Sequence, residues 1–144
     1  MSDTYEPSPE GFVADQVRLY EESGGTLGTD MRGFPVVILT MRGARSGRIR
    51  KVPLMRIRHE ETYIAVGSNS GGPRNPQWVQ NLLADGRLEL QDGQTKDVRV
   101  ARLITGEERE LWFARAVAIF KFYARYQESA GRELPVFLLE RPRL

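Results

Sequence analysis

The chain has 144 residues, the length of one ordinary domain, and a composition of 40% hydrophobic and 28% charged residues excludes a disordered chain. It has no cysteine and a single histidine, His59. Thiol nucleophiles, disulfides, cysteine-ligated zinc, iron–sulfur clusters and multi-histidine metal sites are therefore excluded, and no metal is expected. The net charge of +2 hides an asymmetry: residues 1–30 hold seven acids and one base, Arg18, which leaves +8 on the remainder.

The acidic start is expected to be a helical extension, residues 1–30, on a single barrel domain that fills the chain to residue 144. Ser8-Pro9-Glu10 predicts a helix start, a capping serine followed by proline at the first helical position. Val13, Val17 and Tyr20 follow at helical spacing, and Gly24-Gly25 stops the helix. Residues 34–41 (FPVVILTM) form a β-branched apolar run that predicts a strand buried on both faces. Strands at 49–58 and 62–68 flank a polar tip at His59-Glu60-Glu61. Asn75-Pro76 opens a second helix with Trp78, Val79, Leu82 and Leu83 inward and Gly86 beyond its end. Strands at 87–91 and 95–103 join around Asp92-Gly93, a strong hairpin signal. Thr105-Gly-Glu-Glu108 reads as a capping box opening the longest helix, to Gln127. Residues 134–140 are the last strand. Hairpin-connected strands favour an antiparallel sheet, so about six strands with three helices predict an α+β fold, a small barrel decorated by helices.

Several chemistries are absent. No two glycines are separated by one residue, so the dinucleotide fingerprint cannot occur. Gly67 and Gly72 have the outer spacing of a phosphate loop, but Pro73-Arg74 stands where Lys-Ser/Thr is needed. A serine triad would have to use His59, which lies at a solvated tip. No apolar run approaches the ~18 residues of a membrane span, and the N-terminus has no secretory pattern, so a cytoplasmic location is expected.

Two motifs carry the chemistry that remains. The first is Thr40-Met-Arg-Gly43-Ala-Arg-Ser-Gly47-Arg-Ile-Arg50-Lys51-Val-Pro53-Leu54. It lies in a run of seven cations (Arg42, Arg45, Arg48, Arg50, Lys51, Arg56, Arg58) with no acid before Glu60. Such density points to an anionic partner, with a solvated hairpin as the plain alternative. A tight turn at Gly43–Gly47 would offer backbone amides, Ser46 and guanidinium forks to a phosphate. The second motif is Ser68-Asn-Ser-Gly-Gly72-Pro-Arg-Asn75-Pro76-Gln-Trp78-Val-Gln-Asn81-Leu82. It sets a strand end, a glycine turn and a helix N-terminus together, and the helix start favours an anion. Core packing of Trp78 and an ordinary glycine loop are the alternatives.

In this order and spacing the two motifs closely resemble the deazaflavin-dependent nitroreductase family, the class A oxidoreductases that use coenzyme F-420. The resemblance covers residues 34–140 and includes Tyr123-Ala-Arg-Tyr126-Gln and Leu134-Pro135-Val136-Phe137. It implies a split β-barrel like that of the flavin-dependent pyridoxamine-phosphate oxidases. It also implies a reductase that moves hydride from reduced F-420 to a flat hydrophobic acceptor such as a quinone, or to a nitroaromatic. Arg45, Ser46, Gly47, Arg50 and Lys51 would hold the phosphate and oligoglutamate tail. Three charge-assisted hydrogen bonds of about 1.5–3 kcal/mol each would supply much of the roughly 8 kcal/mol of a micromolar complex. Pro53, Leu54, Val66, Gly67, Ser68, Asn69, Gln77, Trp78 and Asn81 would frame the deazaflavin ring. Ser68, Tyr123 and Tyr126 are the candidate catalytic residues, with a tyrosine donating to the reduced acceptor. Met55, Trp78, Phe120 and Tyr123 would line the acceptor pocket, while aromatic core packing stays open for both tyrosines.

The sequence departs from the family's nitroimidazole-activating member, which has tyrosines at the positions of Met55 and Phe120 and lysines at those of Arg45 and Asn69. The lost hydroxyls weaken the case for nitroimidazole reduction and favour apolar acceptors. The expected partner is a small hydrophobic molecule, with no nucleic acid and no integral membrane segment. Transient contact at the inner face of the cell membrane would serve to reach a quinone. The alternatives are a non-catalytic F-420-binding protein, an FMN-binding barrel, or a nucleic-acid-binding barrel, the last disfavoured because no aromatics interleave the arginines.

Overall fold

The structure is a computed structural model that describes residues 4–143. Its elements run α1 (Gly11–Glu22), β1 (Asp30–Met31), β2 (Phe34–Arg42), β3 (Ile49–Met55), β4 (Arg58–His59), β5 (Thr62–Val66), a short 3-10 turn (Asn69–Gly71), α2 (Gln77–Ala84), β6 (Arg87–Asp92), β7 (Thr95–Ile104), α3 (Gly106–Ile119), α4 (Phe122–Ala130) and β8 (Val136–Glu140). The sheet order is β1-β2-β6-β7-β8-β5-β4, with β3 on β2. Every ladder is antiparallel. The strand expected at 49–58 is broken at Arg56 and Ile57, and that break ties the sheet's two ends together. The Arg56 amide still donates to Pro35 O at 2.9 Å, on the β2 side, while Ile57 O accepts the Ile64 amide at 2.8 Å, on the β5 side. One extended segment thus changes partner midway and bends the sheet into the expected split barrel.

Alternation along the strands sorts the side chains into three cores. Val37, Leu39, Met41, Tyr63, Ala65, Leu88, Leu90, Phe137 and Leu139 face one interior, and Trp78, Val79 and Leu82 of α2 plug it. The opposite faces of β5 and β8 carry Ile64, Val66, Val136 and Leu138 against Ala116, Phe120, Tyr123 and Ala130 of the helical layer. Val36 and Ile38 pack on Val17 and Tyr20 of α1. Of the run 34–41, expected to be buried on both faces, residues 36–39 and Met41 are buried, while Pro35 is exposed and Phe34 and Thr40 are half-buried.

Four expectations need correction. The first helix starts at Gly11, after Glu10, and Ser8 only accepts the Glu10 amide through its Oγ at 3.2 Å. Leu83 is 51% exposed, because it lies on the side of α2 away from the barrel. Thr105 precedes α3 without a side-chain cap; Glu108 instead pairs with Arg102 at 2.9 Å. The longest predicted helix is two helices, which raises the helix count to four. Phe120 takes extended dihedrals (φ −129°, ψ 91°) and drives its ring between Phe34, Phe122 and Tyr123. Among the described residues, no helix is long and apolar enough to cross a membrane.

Candidate functional site

The β2–β3 turn is built by its own sequence. Gly43 N–H donates to Arg48 O at 2.8 Å, and Gly47 N–H donates to Gly43 O at 3.0 Å. Gly47 sits at φ +70°, where a β-carbon would be strained. Ser46 Oγ accepts the Arg48 amide at 3.1 Å. Arg45, Ser46 and Arg48 stand exposed at the tip. The buried Asn81 of α2 accepts the Ala44 amide at 2.9 Å through Oδ1, so the two sequence motifs meet across one hydrogen bond. Asn81, expected to face the cofactor ring, thus spends its oxygen on the turn.

The cations do not act as one group. Arg50 and Lys51 are adjacent on β3, so their side chains leave on opposite faces. Arg50 pairs with Glu6 at 3.2 Å. Lys51 pairs with Glu21 of α1 at 2.6 Å and lies 5.1 Å from the centre of the Tyr5 ring. Residues 4–6 run parallel to the start of β3: Ile49 N–H donates to Thr4 O and Glu6 N–H donates to Ile49 O, both at 2.8 Å. Arg56 pairs with Asp92 at 2.9 Å, near the far end of β2. The acidic N-terminus accounts for two of the arm's charges, and the tip keeps Arg45 and Arg48.

The second motif forms a contorted loop from Gly67 to Pro76. Asn69, Ser70 and Gly71 have φ of +47°, +53° and +80° in succession. Left-handed non-glycine residues cost on the order of 1–3 kcal/mol each and persist only where the surroundings hold them. Arg132, just after α4, does the holding. Its guanidinium donates to the carbonyls of Gly67 (3.3 Å), Ser68 (3.3 Å), Gly72 (3.2 Å) and Arg74 (3.0 Å) and to Asn75 Oδ1. Ser129 Oγ donates to Gly71 O at 3.2 Å. A β-carbon on Gly71 would overlap Ser129 Oγ, and one on Gly67 would meet Pro135 and Val79 within 2.8 Å. Ser68 is half-buried and Asn69 exposed. Gln77 is exposed in the first turn of α2, which no side chain caps. Its amides suit an anion.

The expected acceptor wall separates into two places. Met55, Phe120, Tyr123 and Tyr126 belong to one aromatic layer under α3 and α4. Phe120 and Tyr123 are edge-to-face with centres 4.8 Å apart, and Tyr123 and Tyr126 are 6.4 Å apart. Trp78 is not part of that layer. It is 5% exposed inside the barrel against Phe137, so its core alternative describes it. Pro53 and Val66 are buried too, and Leu54 packs inward against the barrel interior. Burial pushes the Tyr123 phenol well above its ordinary range, with Tyr126 adding to the rise. Tyr123 therefore stays protonated, a hydrogen-bond donor rather than a base. Two surface cavities, of about 320 Å³ along Lys121, Phe122 and Arg125 and about 340 Å³ between Tyr5 and α1, have no residue of either motif in their lining.

Sequence reasoning missed Arg132 and its support. Buried Arg109 donates to Gln127 Oε1 and Leu134 O, both at 2.8 Å, and Gln127 Nε2 donates to Arg132 O at 2.6 Å. The one local signal was Gly131, left-handed at φ +67°, which ends α4 and turns Arg132 toward the loop.

The profile of the F420H(2)-dependent quinone reductase family matches residues 13–141. An F420H(2)-dependent quinone reductase of Mycobacterium tuberculosis (strain ATCC 25618 / H37Rv) is 28% identical over 127 residues, 85% of each chain. A solved F420-H2 dependent reductase, FDR-A, is 42% identical over 74% of this chain and 94% of its own, with a TM-score of 0.69. A solved domain-swapped dimer is 40% identical over 92% of this chain and 100% of its own, with a TM-score of 0.72.

Proposed function

The chain belongs to the F420H(2)-dependent quinone reductase family, and from that premise we propose that the turn at Gly43–Gly47 and the loop at Gly67–Pro76 hold coenzyme F-420 for reduction of a quinone. The carrying observation is the Asn81–Ala44 bond, which ties the exposed cationic tip to the second turn of α2. The donor set fits the group. Residues 42–59 and 62–84 contain no carboxylate, and Arg45, Ser46, Arg48, Asn69 and Gln77 are exposed there. Arg45, Ser46, Gly47 and Arg48 would take the phosphate and carboxylates of the tail through charge-assisted bonds. Ser68, Asn69 and Gln77 would meet the ring's polar edge. When bound, reduced F-420 supplies the hydride. The chain's own residues supply position and dryness. The loop is held in one shape, and the Met55–Phe120 layer offers an apolar wall that excludes water from a flat acceptor. Protonated Tyr123, with Tyr126 at the layer's edge, is the donor for the oxygen of a reduced quinone.

F-420 fluorescence titration tests the assignment, with turnover on a soluble menaquinone analogue. The Arg45→Ala/Arg48→Ala variant is expected to bind at least about tenfold more weakly, the loss of one or two charge-assisted bonds. Unchanged affinity refutes the tail site; tight binding without turnover on any quinone favours a binding protein over a reductase.

Contact with lipid, where quinones partition, is the finer part of this reading. Residues 111–127 contain Arg115, Lys121 and Arg125 and no acid, and Leu111 and Ile119 are 52% and 45% exposed beside them. Basic and apolar side chains on one surface suit an anionic bilayer. Co-sedimentation with phosphatidylglycerol vesicles but not phosphatidylcholine vesicles supports the contact; equal binding to both, or to neither, refutes it.

A further inference from the structure

We propose that Arg132 is a positioning residue, which sets the shape of the cofactor loop and registers it against the helix that carries the acceptor wall; this rests on the F-420 reading above. A guanidinium has five N–H donors in a rigid fork. Here the fork meets four backbone carbonyls and one side-chain amide oxygen, all between Gly67 and Asn75. A trans peptide is planar, so a carbonyl turned toward the guanidinium turns the next amide N–H away from it. The carbonyls of Ser68 and Arg74 therefore aim the amides of Asn69 and Asn75 away from Arg132, outward from the clamp. The same contacts hold Asn69, Ser70 and Gly71 in their left-handed run.

The loop's other side is closed by α4. Gly71 lies so near Ser129 and Tyr126 that no side chain fits, and Ser129 Oγ holds the Gly71 carbonyl. Tyr126 and Tyr123 are on that helix. The loop is pinched between Arg132 and α4, so the spacing between cofactor loop and acceptor layer is fixed at one place. Arg132 is half-buried and follows α4, outside every strand of the sheet, so the ladders do not depend on its side chain.

The test uses full-length wild type, Arg132→Met and Arg132→Lys, with circular dichroism, F-420 titration and steady-state kinetics. Arg132→Met is expected to raise the Kd and KM for F-420 about tenfold, as for loss of charge-assisted bonds, with the quinone KM changed less than about twofold. Arg132→Lys is expected in between, because an ammonium cannot span five acceptors. If Arg132→Met fails to fold, the Lys variant carries the same comparison. Unchanged F-420 affinity in the folded variants overturns the proposal alone, as does an equal rise in both KM values with a lowered melting temperature. A wild type that binds no F-420 overturns the cofactor reading and this proposal with it.

Discussion

Asn81 and Ala44 are 37 positions apart, and one hydrogen bond of 2.9 Å between the buried side chain and the turn amide ties α2 to the β2–β3 turn. Asn81→Leu leaves the Ala44 amide without its partner. Stability is expected to fall by about 1–3 kcal/mol, the cost of an unmet polar group. Affinity for F-420 should fall with it, because the tip loses its anchor. Urea denaturation and fluorescence titration check the two effects separately.

Lys51 and Arg45 should behave differently despite their common charge. Lys51 is committed to Glu21 and Tyr5, on the α1 side of β3. Lys51→Met is expected to cost about 1 kcal/mol of stability or somewhat more, since the ion pair is largely buried, and to leave F-420 affinity within about twofold. Arg45→Met should do the reverse. Finding the larger affinity loss in Lys51→Met would return Lys51 to the tail site.

Gly25 is expected to accept no side chain. It sits at φ +81°, and a β-carbon there would overlap the Gly93 carbonyl of the β6–β7 turn. Next to it, the Tyr20 hydroxyl accepts the Gly93 amide at 2.7 Å. Gly25→Ala should lower stability by more than the roughly 1–3 kcal/mol of backbone strain alone. Loss of α1 docking, read as faster amide exchange in residues 11–22 with the barrel still protected, is the accompanying signature.

Alkaline stability should report Tyr123. Its phenol is raised by burial, so the folded chain keeps a proton that the unfolded chain releases near pH 10. The stabilisation is whole below that pH and shrinks above it, by about 1.4 kcal/mol per pH unit for one group, until the folded phenol itself ionises. Tyr123→Phe should flatten this loss. Urea midpoints at pH 9 and pH 11 that fall equally in wild type and variant would contradict it.

What could be read from the letters was what short-range chemistry determines. Asp92-Gly93 predicts its hairpin because the turn needs a residue free to adopt positive φ, and Gly93 does so at +60°. The apolar, β-branched run 34–41 predicts a doubly buried strand, and its centre from Val36 to Leu39 is one. The break at Phe120 was hidden, because nothing between Thr105 and Gln127 disfavours helix except Gly106 at its start. Phe34, from β2, meets the Phe120 ring together with its near neighbours Phe122 and Tyr123, and a contact 86 positions away leaves no local sign. Arg132 was hidden for a different reason. Its acceptors are backbone oxygens and one asparagine, 57 to 65 positions away, and a carbonyl has no letter of its own. Trp78 misled because a tryptophan at a helix start reads equally as a ring to stack on and as a plug.

The short stretch from Thr4 to Glu6 has a practical consequence. Laid beside Ile49, it shields the outer side of β3 where that strand begins, and Glu6 neutralises Arg50 there. A bare strand edge is a template for other chains. Protein trimmed to begin after residue 10 would offer that template with a naked guanidinium beside it. Such a fragment is expected to self-associate and to adsorb polyanions without regard to their identity, so measurements of tail recognition belong on the untrimmed chain.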